Sequence, residues 1–293
     1  MIDSTPSLLK KINVKNIELD LKHKKDLDDL GYCVFDNIPE IHSNLKKLNE
    51  EANKLIKQEG SLGGWEGKMQ HYKPGKKFED GADRLGALVD KSDVFRKLIL
   101  IPELLLSAYY VVKEDIKLCG FNLRNPHKGR GEQNIHIDGF ARKNLNDPFA
   151  GIVAFLYLDD SNLDNGAMRI IPGTHNKIGY PDDHIDITKK NVNEKRLIVK
   201  AGTLVVANLN LWHAGAKNLN GKSRKVIMIN IKKRSYDQLL NYKKFLSKNV
   251  KDKLTEEQKY ILAVRDVDKD QLVDSGGSAN DQRRQYLESI KSI

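Results

Sequence analysis

His136 and Asp138, in Gln133-Asn134-Ile135-His136-Ile137-Asp138-Gly139-Phe140, place an imidazole and a carboxylate two residues apart. On an extended strand, residues i and i+2 point to the same face, so both side chains can reach one metal ion. Two ligands do not hold a metal. The best third candidate is His213, in Leu211-Trp212-His213-Ala214-Gly215, 75 residues after Asp138. Two histidines and one carboxylate match the facial triad that leaves adjacent coordination positions open on non-haem Fe(II). Eleven residues further on, Arg224 opens the strand-like run Arg224-Lys225-Val226-Ile227-Met228-Ile229-Asn230-Ile231. A guanidinium there can pair two-pronged with a carboxylate that itself binds the metal.

The elements that would position these groups are short strands. Ile116–Arg124, Gly151–Leu158, Ala167–Ile171, Arg196–Val199, Thr203–Leu209 and 224–232 read as strands between Gly, Pro and Asn turns. They follow a helical first third. Leu45, Leu48, Ala52 and Leu55 form one apolar stripe, and Pro102 divides the helical stretch from Asp93 to Val112. A β-sandwich or barrel core flanked by helices follows.

The set His136-x-Asp138, His213 and Arg224 resembles the phytanoyl-CoA dioxygenase family of Fe(II)/2-oxoglutarate-dependent oxygenases. The likeness extends to Asn165-Gly166-Ala167-Met168-Arg169-Ile170-Ile171-Pro172-Gly173-Thr174-His175 and to Lys200-Ala201-Gly202-Thr203-Leu204. It covers roughly Asp29 to Arg234. It implies an all-β core with flanking helices (α+β), a double-stranded β-helix or cupin-like jelly roll, over about residues 116–232. A domain of residues 1–234 would then carry a helical, charged extension, 235–293. The implied reaction uses Fe(II), 2-oxoglutarate and O2, hydroxylates an aliphatic C–H of a small molecule, and releases succinate and CO2. Arg224 would hold the distal carboxylate of the cosubstrate, with further contacts from Gln133, Phe155, Phe121 and Arg84. Where fungal members have a contacting Thr, this chain has Met168. Halogenating relatives lack the carboxylate ligand, and Asp138 supplies it here.

Composition bounds the alternatives. With 39% hydrophobic and 31% charged residues the chain reads as globular, and no run of eighteen apolar residues suggests a membrane span. Met1 to Lys10 lacks the apolar core of a signal peptide, and two isolated cysteines, Cys33 and Cys119, favour a reducing, cytoplasmic setting. The net charge of +10 comes from scattered lysines rather than one basic tract interleaved with aromatics. Nucleic acid is therefore disfavoured as a partner, whereas an anionic small substrate fits. A macromolecule-directed oxygenase and a non-catalytic binding protein of the same fold are the alternatives; oligomeric state is not legible.

Three stretches remain. Residues 60–80, with Trp65, His71 and Tyr72, have loop composition. Asn176 to Glu194 is long and polar enough for a lid, from which Tyr180 and His184 would meet substrate. Met1 to about Lys25 reads as a loose start. His175 and the remaining histidines have no partner at ligand spacing.

Overall fold

Strict alternation along Gly151–Tyr157 divides the molecule. Ile152, Ala154 and Leu156 enter one apolar cluster, and Val153, Phe155 and Tyr157 another. A strand buried on both faces must sit between two layers. The computed structural model describes residues 2–15, 17–60 and 81–266. The loop at Trp65, His71 and Tyr72 and the helix expected near the C-terminus lie outside them.

Among the described residues the strands are β1 (Tyr32–Phe35), β2 (Ala82–Leu85), β3 (Ile116–Pro126), β4 (Gly151–Tyr157), β5 (Arg169–Ile171), β6 (Lys195–Arg196), β7 (Leu204–Asn208), β8 (Trp212–Ala214) and β9 (Val226–Lys233). They form an antiparallel six-stranded sheet, ordered β1-β7-β4-β9-β3-β2, and a three-stranded sheet, ordered β6-β5-β8. The sheets do not close into a barrel. Two expected strands are shorter than their apolar runs. Where Arg196–Val199 was anticipated, Lys195–Arg196 pairs with β5 and Val199 makes one bridge to Ser161, and the His136 stretch makes a single bridge to His213.

Helices cover the outer face of the large sheet: α1 (Thr5–Lys11), α2 (Leu21–Asp29), α3 (Pro39–Glu59), α4 (Leu88–Lys91), α5 (Asp93–Arg96), α6 (Pro102–Val112), α7 (Tyr242–Phe245), α8 (Lys248–Lys253) and α9 (Glu256–Ile261). Along α3, Ile41, Leu48, Ala52 and Leu55 are buried at helical spacing. The helical stretch does divide at Pro102, which starts α6, because its missing N–H costs nothing in a first turn.

Both ends of the described chain pack into the core. The N-terminal stretch is not loose, since Leu8 and Leu9 of α1 are fully buried. Nor does Arg234 end the packed unit. Tyr242, Leu246, Val250, Leu254, Tyr260, Ile261 and Leu262 belong to the same cluster as Leu8 and Leu9. Arg234 lies over the Tyr260 ring at 4.1 Å, and Gln238 Nε2 donates to the carbonyls of Leu118 and Leu262. Each fully buried aliphatic side chain contributes roughly 1.5–3 kcal/mol of transfer free energy. Helices this short hold through such contacts, not through propensity.

Leu9→Ala and Ile261→Ala should therefore each lower the unfolding free energy by about 2–5 kcal/mol in urea denaturation. A loss below roughly 0.5 kcal/mol for Ile261→Ala would detach the C-terminal segment from the core.

Candidate metal centre

His136 and His213 face each other through their backbones. His136 N–H donates to His213 O at 2.9 Å, and His213 N–H returns a bond to His136 O at 3.0 Å. Residues that exchange both bonds are directly opposed, with side chains on one face. Asp138, two residues on, is tied by its N–H to Leu209 O at 3.0 Å. Its carboxylate oxygens lie 3.8 Å from His136 Nε2 and 3.6 Å from His213 Nε2.

Each imidazole is aimed the same way. His136 Nδ1 lies 2.8 Å from Asn134 O, and His213 Nδ1 lies 2.9 Å from Leu211 O, in both cases the carbonyl two residues earlier. Only a protonated Nδ1 can donate there, so Nε2 keeps the lone pair that a metal needs. Burial, followed by the neighbouring His213, pushes the His136 pKa down and favours the neutral ring. One donor atom from each of the three side chains lies within 4.8 Å of the others. An ion about 2.1 Å from each would need only a modest inward shift. Two neutral imidazoles and one carboxylate on adjacent edges fit Fe(II) better than a closed structural zinc site.

The inner face of the large sheet carries the rest of the site. Phe155 is packed edge-on to His213, with ring centroids 5.7 Å apart. In register, Phe155 opposes Met228 and Tyr157 opposes Val226, so alternation brings Arg224 to the same face. Arg224 is buried, its Nε donates to Asn165 O at 3.0 Å, and its charge acts on Tyr157. Burial holds the Tyr157 phenol up to about 12, leaving it a neutral hydrogen-bonding group. Met168, also inward, presents a thioether there instead of a hydroxyl.

Other expected residues are placed differently. Gln133 is at the site, but its Oε1 accepts the Gly215 N–H at 2.9 Å and so supports the backbone beside His213. Gly215 has no room for a side chain: a Cβ would fall 2.5 Å from Gly131 O and 2.7 Å from that same Oε1. Arg84 opposes Arg124 across β2 and β3. Phe121 is a correction. A bulge between Leu118 and Gly120 shifts the alternation, and Phe121 joins the helix-side cluster with Leu118 and Leu123. An unbroken strand would have turned it opposite to Leu118, towards the metal.

The lid expected at 176–194 is also corrected. Ile185 and Ile187 pack with Ile135, Ile171, Trp212 and Ala214 on the outer face of the small sheet, and Ile187 O accepts from Ile135 N–H at 3.2 Å. His184 lies against Trp212, with ring centroids 5.3 Å apart, behind the strand whose next residue is the ligand His213. Apolar residues at 185 and 187, one strand period apart, are the signal for this strap. Tyr180 stays exposed where Gly179 N–H donates to Arg142 O, on the loop that follows Asp138.

The residues that motif spacing passed over are Tyr157, Asn122 and Arg124. Tyr157 could have been found by stepping two residues along β4 from Phe155. Asn122, opposite Met228, and Arg124, opposite Val226, could not, because their facing depends on the bulge.

Two facing sheets with three metal donors between them define a double-stranded β-helix, and solved structures agree. The carbocyclase SnoK from nogalamycin biosynthesis, a non-haem α-ketoglutarate-dependent enzyme, superimposes with a TM-score of 0.57 at 15% identity, covering 73% of this chain and 84% of its own. HygX from Streptomyces hygroscopicus, solved with nickel and 2-oxoglutarate, gives 0.56 at 16% identity over 75% and 89%. The epimerase SnoN gives 0.55 at 17% over 72% and 82%. Residues 27–226 match the sequence profile of phytanoyl-CoA dioxygenase (PhyH), and the chain belongs to that family. Uncharacterized proteins of Mycobacterium bovis and Mycobacterium tuberculosis are 30% identical to it over 110 residues, a match that spans 38% of this chain and of theirs.

The purified protein should bind one Fe(II) per chain. Alanine at His136, Asp138 or His213 should each weaken binding by more than about a hundredfold, whereas His184→Ala leaves metal affinity unchanged. Anaerobic metal titration is the measurement; undiminished binding in any two of the three ligand variants would exclude this triad.

Proposed function

We propose that the protein is an Fe(II)- and 2-oxoglutarate-dependent dioxygenase that hydroxylates an aliphatic C–H of a small molecule, releasing succinate and CO2. The observation that supports this most directly is the line His213–Phe155–Tyr157–Arg224 along one inner face. A metal alone would need only the triad. An inward arginine one strand period past Val226, and so four residues beyond the metal-side phenylalanine, lies ~13 Å along the ladder by backbone, a span its long side chain shortens to suit a five-carbon diacid chelated at one end and gripped at the other.

The bound iron would supply the oxidising chemistry with O2. The chain's own residues bind and orient. His136, Asp138 and His213 present one face of ligands and leave the opposite face to cosubstrate and O2. Arg224, its side chain anchored by Nε on Asn165 O, would bind the distal carboxylate through its guanidinium. Tyr157, neutral and next to Arg224, is placed to donate to the same carboxylate. Phe155, Met168, Ile170 and Val205 keep the surrounding space apolar, which limits water near the reacting centre.

The substrate belongs to the same reading. Arg84 and Arg124 oppose each other on the inner face of β2 and β3, and Arg124 acts on His136. A carboxylate or phosphate on the substrate would find positive charge there. Exposed Tyr180, on the loop side of Asp138, is a candidate contact. A cytoplasmic setting accords with Cys33 and Cys119 being free, buried thiols. No helix among the described residues is long and apolar enough to cross a membrane.

The test is succinate release by the Fe(II)-loaded protein against anionic and neutral small molecules. Products that gain one oxygen support hydroxylation. Loss of two hydrogens would mean ring closure or desaturation instead, a relevant outcome because SnoK is a carbocyclase. Arg224→Ala should raise the 2-oxoglutarate requirement at least about tenfold, since a charge-assisted contact contributes roughly 1.5–3 kcal/mol. An unchanged requirement would remove Arg224 from the cosubstrate site.

A further inference from the structure

We propose that Asn125 is a positioning residue that sets where Arg224 meets the distal carboxylate of 2-oxoglutarate; this rests on the cosubstrate role proposed above for Arg224. The ladder between β3 and β9 ends at the pair Arg124–Val226. Continued by two residues, it would set Arg224 against Pro126. Proline has no N–H to give, and the Pro126 carbonyl is already taken by Asn218 Nδ2 at 2.9 Å. The regular backbone pairing that holds the rest of β9 therefore stops just short of the residue that most needs a fixed position.

The side chain of Asn125 carries the pairing one step further. Its Oδ1 accepts the Arg224 N–H at 2.9 Å and lies 3.3 Å from the Ser223 hydroxyl, whose proton goes to the nearer Asp159. Its Nδ2 donates to Asp83 Oδ2 at 2.9 Å, and Asp83 Oδ1 in turn lies 2.8 Å from His127 Nε2. These partners force the amide's orientation, because the Arg224 N–H requires an oxygen and the Asp83 carboxylate requires a donor. From the other side, Asp159 Oδ2 accepts from Ser223 Oγ at 2.7 Å and from Lys225 N–H at 2.8 Å. Ser223, Arg224 and Lys225 are thus pinned from β3 and from the turn after β4, and Asn125 bonds the main chain of Arg224 itself. Hydrogen bonds weaken steeply with distance and angle, so a small drift of that main chain would cost a two-pronged carboxylate contact much of its strength.

The test is calorimetric, on anaerobic protein loaded with Mn(II). Two ligands are titrated: 2-oxoglutarate, and 2-oxobutyrate, which chelates a metal in the same way but has no distal carboxylate. Asn125→Ala should weaken 2-oxoglutarate by about three- to tenfold and leave 2-oxobutyrate and Mn(II) affinity unchanged. In Arg224→Ala protein, adding Asn125→Ala should cause no further loss. An equal loss for both ligands would mean general loosening and overturn the proposal. So would an unchanged 2-oxoglutarate affinity, or a loss that persists without Arg224. If Arg224→Ala binds 2-oxoglutarate as well as the unaltered protein does, the cosubstrate role itself fails, a result distinct from failure at Asn125. Asp83→Ala, a change on a partly exposed side chain, keeps the test available should Asn125→Ala not fold. It frees the amide to turn and should give a smaller loss confined to 2-oxoglutarate, and an equal loss for 2-oxobutyrate would count against the proposal.

Discussion

The reciprocal backbone pair between His136 and His213 is the constraint on which the site depends. Two ligands 77 residues apart are locked in opposition by main-chain bonds that are indifferent to side-chain identity. The third ligand follows at no added conformational cost, because Asp138 is one strand period beyond His136. The carbonyl two residues before each histidine then selects its tautomer. Ligand position, face and protonation thus all come from the backbone. A metal meeting such a site has little ordering left to impose.

Around this pair the sheets divide the work. The small sheet supplies His213 and the edge on which His136 rests, and its outer face is closed by the strap carrying Ile185 and Ile187. Arg169 donates to Gln133 O at 2.7 Å and faces Glu194 at 3.5 Å, so the end of the strap and the start of the ligand stretch share one buried cation. The large sheet supplies Phe155, Tyr157 and Arg224. Its helix-side face is mostly apolar, and α1 and α9 are part of that layer rather than appendages. The inner face can therefore carry arginine, asparagine and tyrosine, because the outer one supplies the burial that holds the sheet together.

Arg224 shows how a cation is kept in a buried place. Its side chain is braced by a carbonyl in the Asn165-Gly166 turn, and its main chain by Asn125 and the residues beside it. Asn165 is itself held by Nδ2 bonds to the carbonyls of Asp160 and Ser223. The turn before β5 and the start of β9 are consequently one structure, although 59 residues separate Asn165 from Arg224.

The ligand set, the arginine that follows it and the fold family were legible from sequence, because they rest on short-range facts. A strand period of two puts His136 and Asp138 on one face, and apolar runs bounded by Gly and Pro mark β4, β7 and β9. Alternation from Phe155 could also have led to Tyr157. Tertiary structure alone decided the rest. A single extra residue at Cys119 reverses the facing of every later side chain in β3, turning Phe121 away from the metal and Asn122 and Arg124 inward. Polar composition suggested a lid at 176–194, but two isoleucines sufficed to fasten that segment behind the small sheet, because the exposed back of Trp212 offered them burial. The role of the charged helices after Arg234 was not legible for the same reason. Charge is counted over a whole segment, whereas burial is settled by the few side chains that find a partner, and those partners lie more than two hundred residues away in α1.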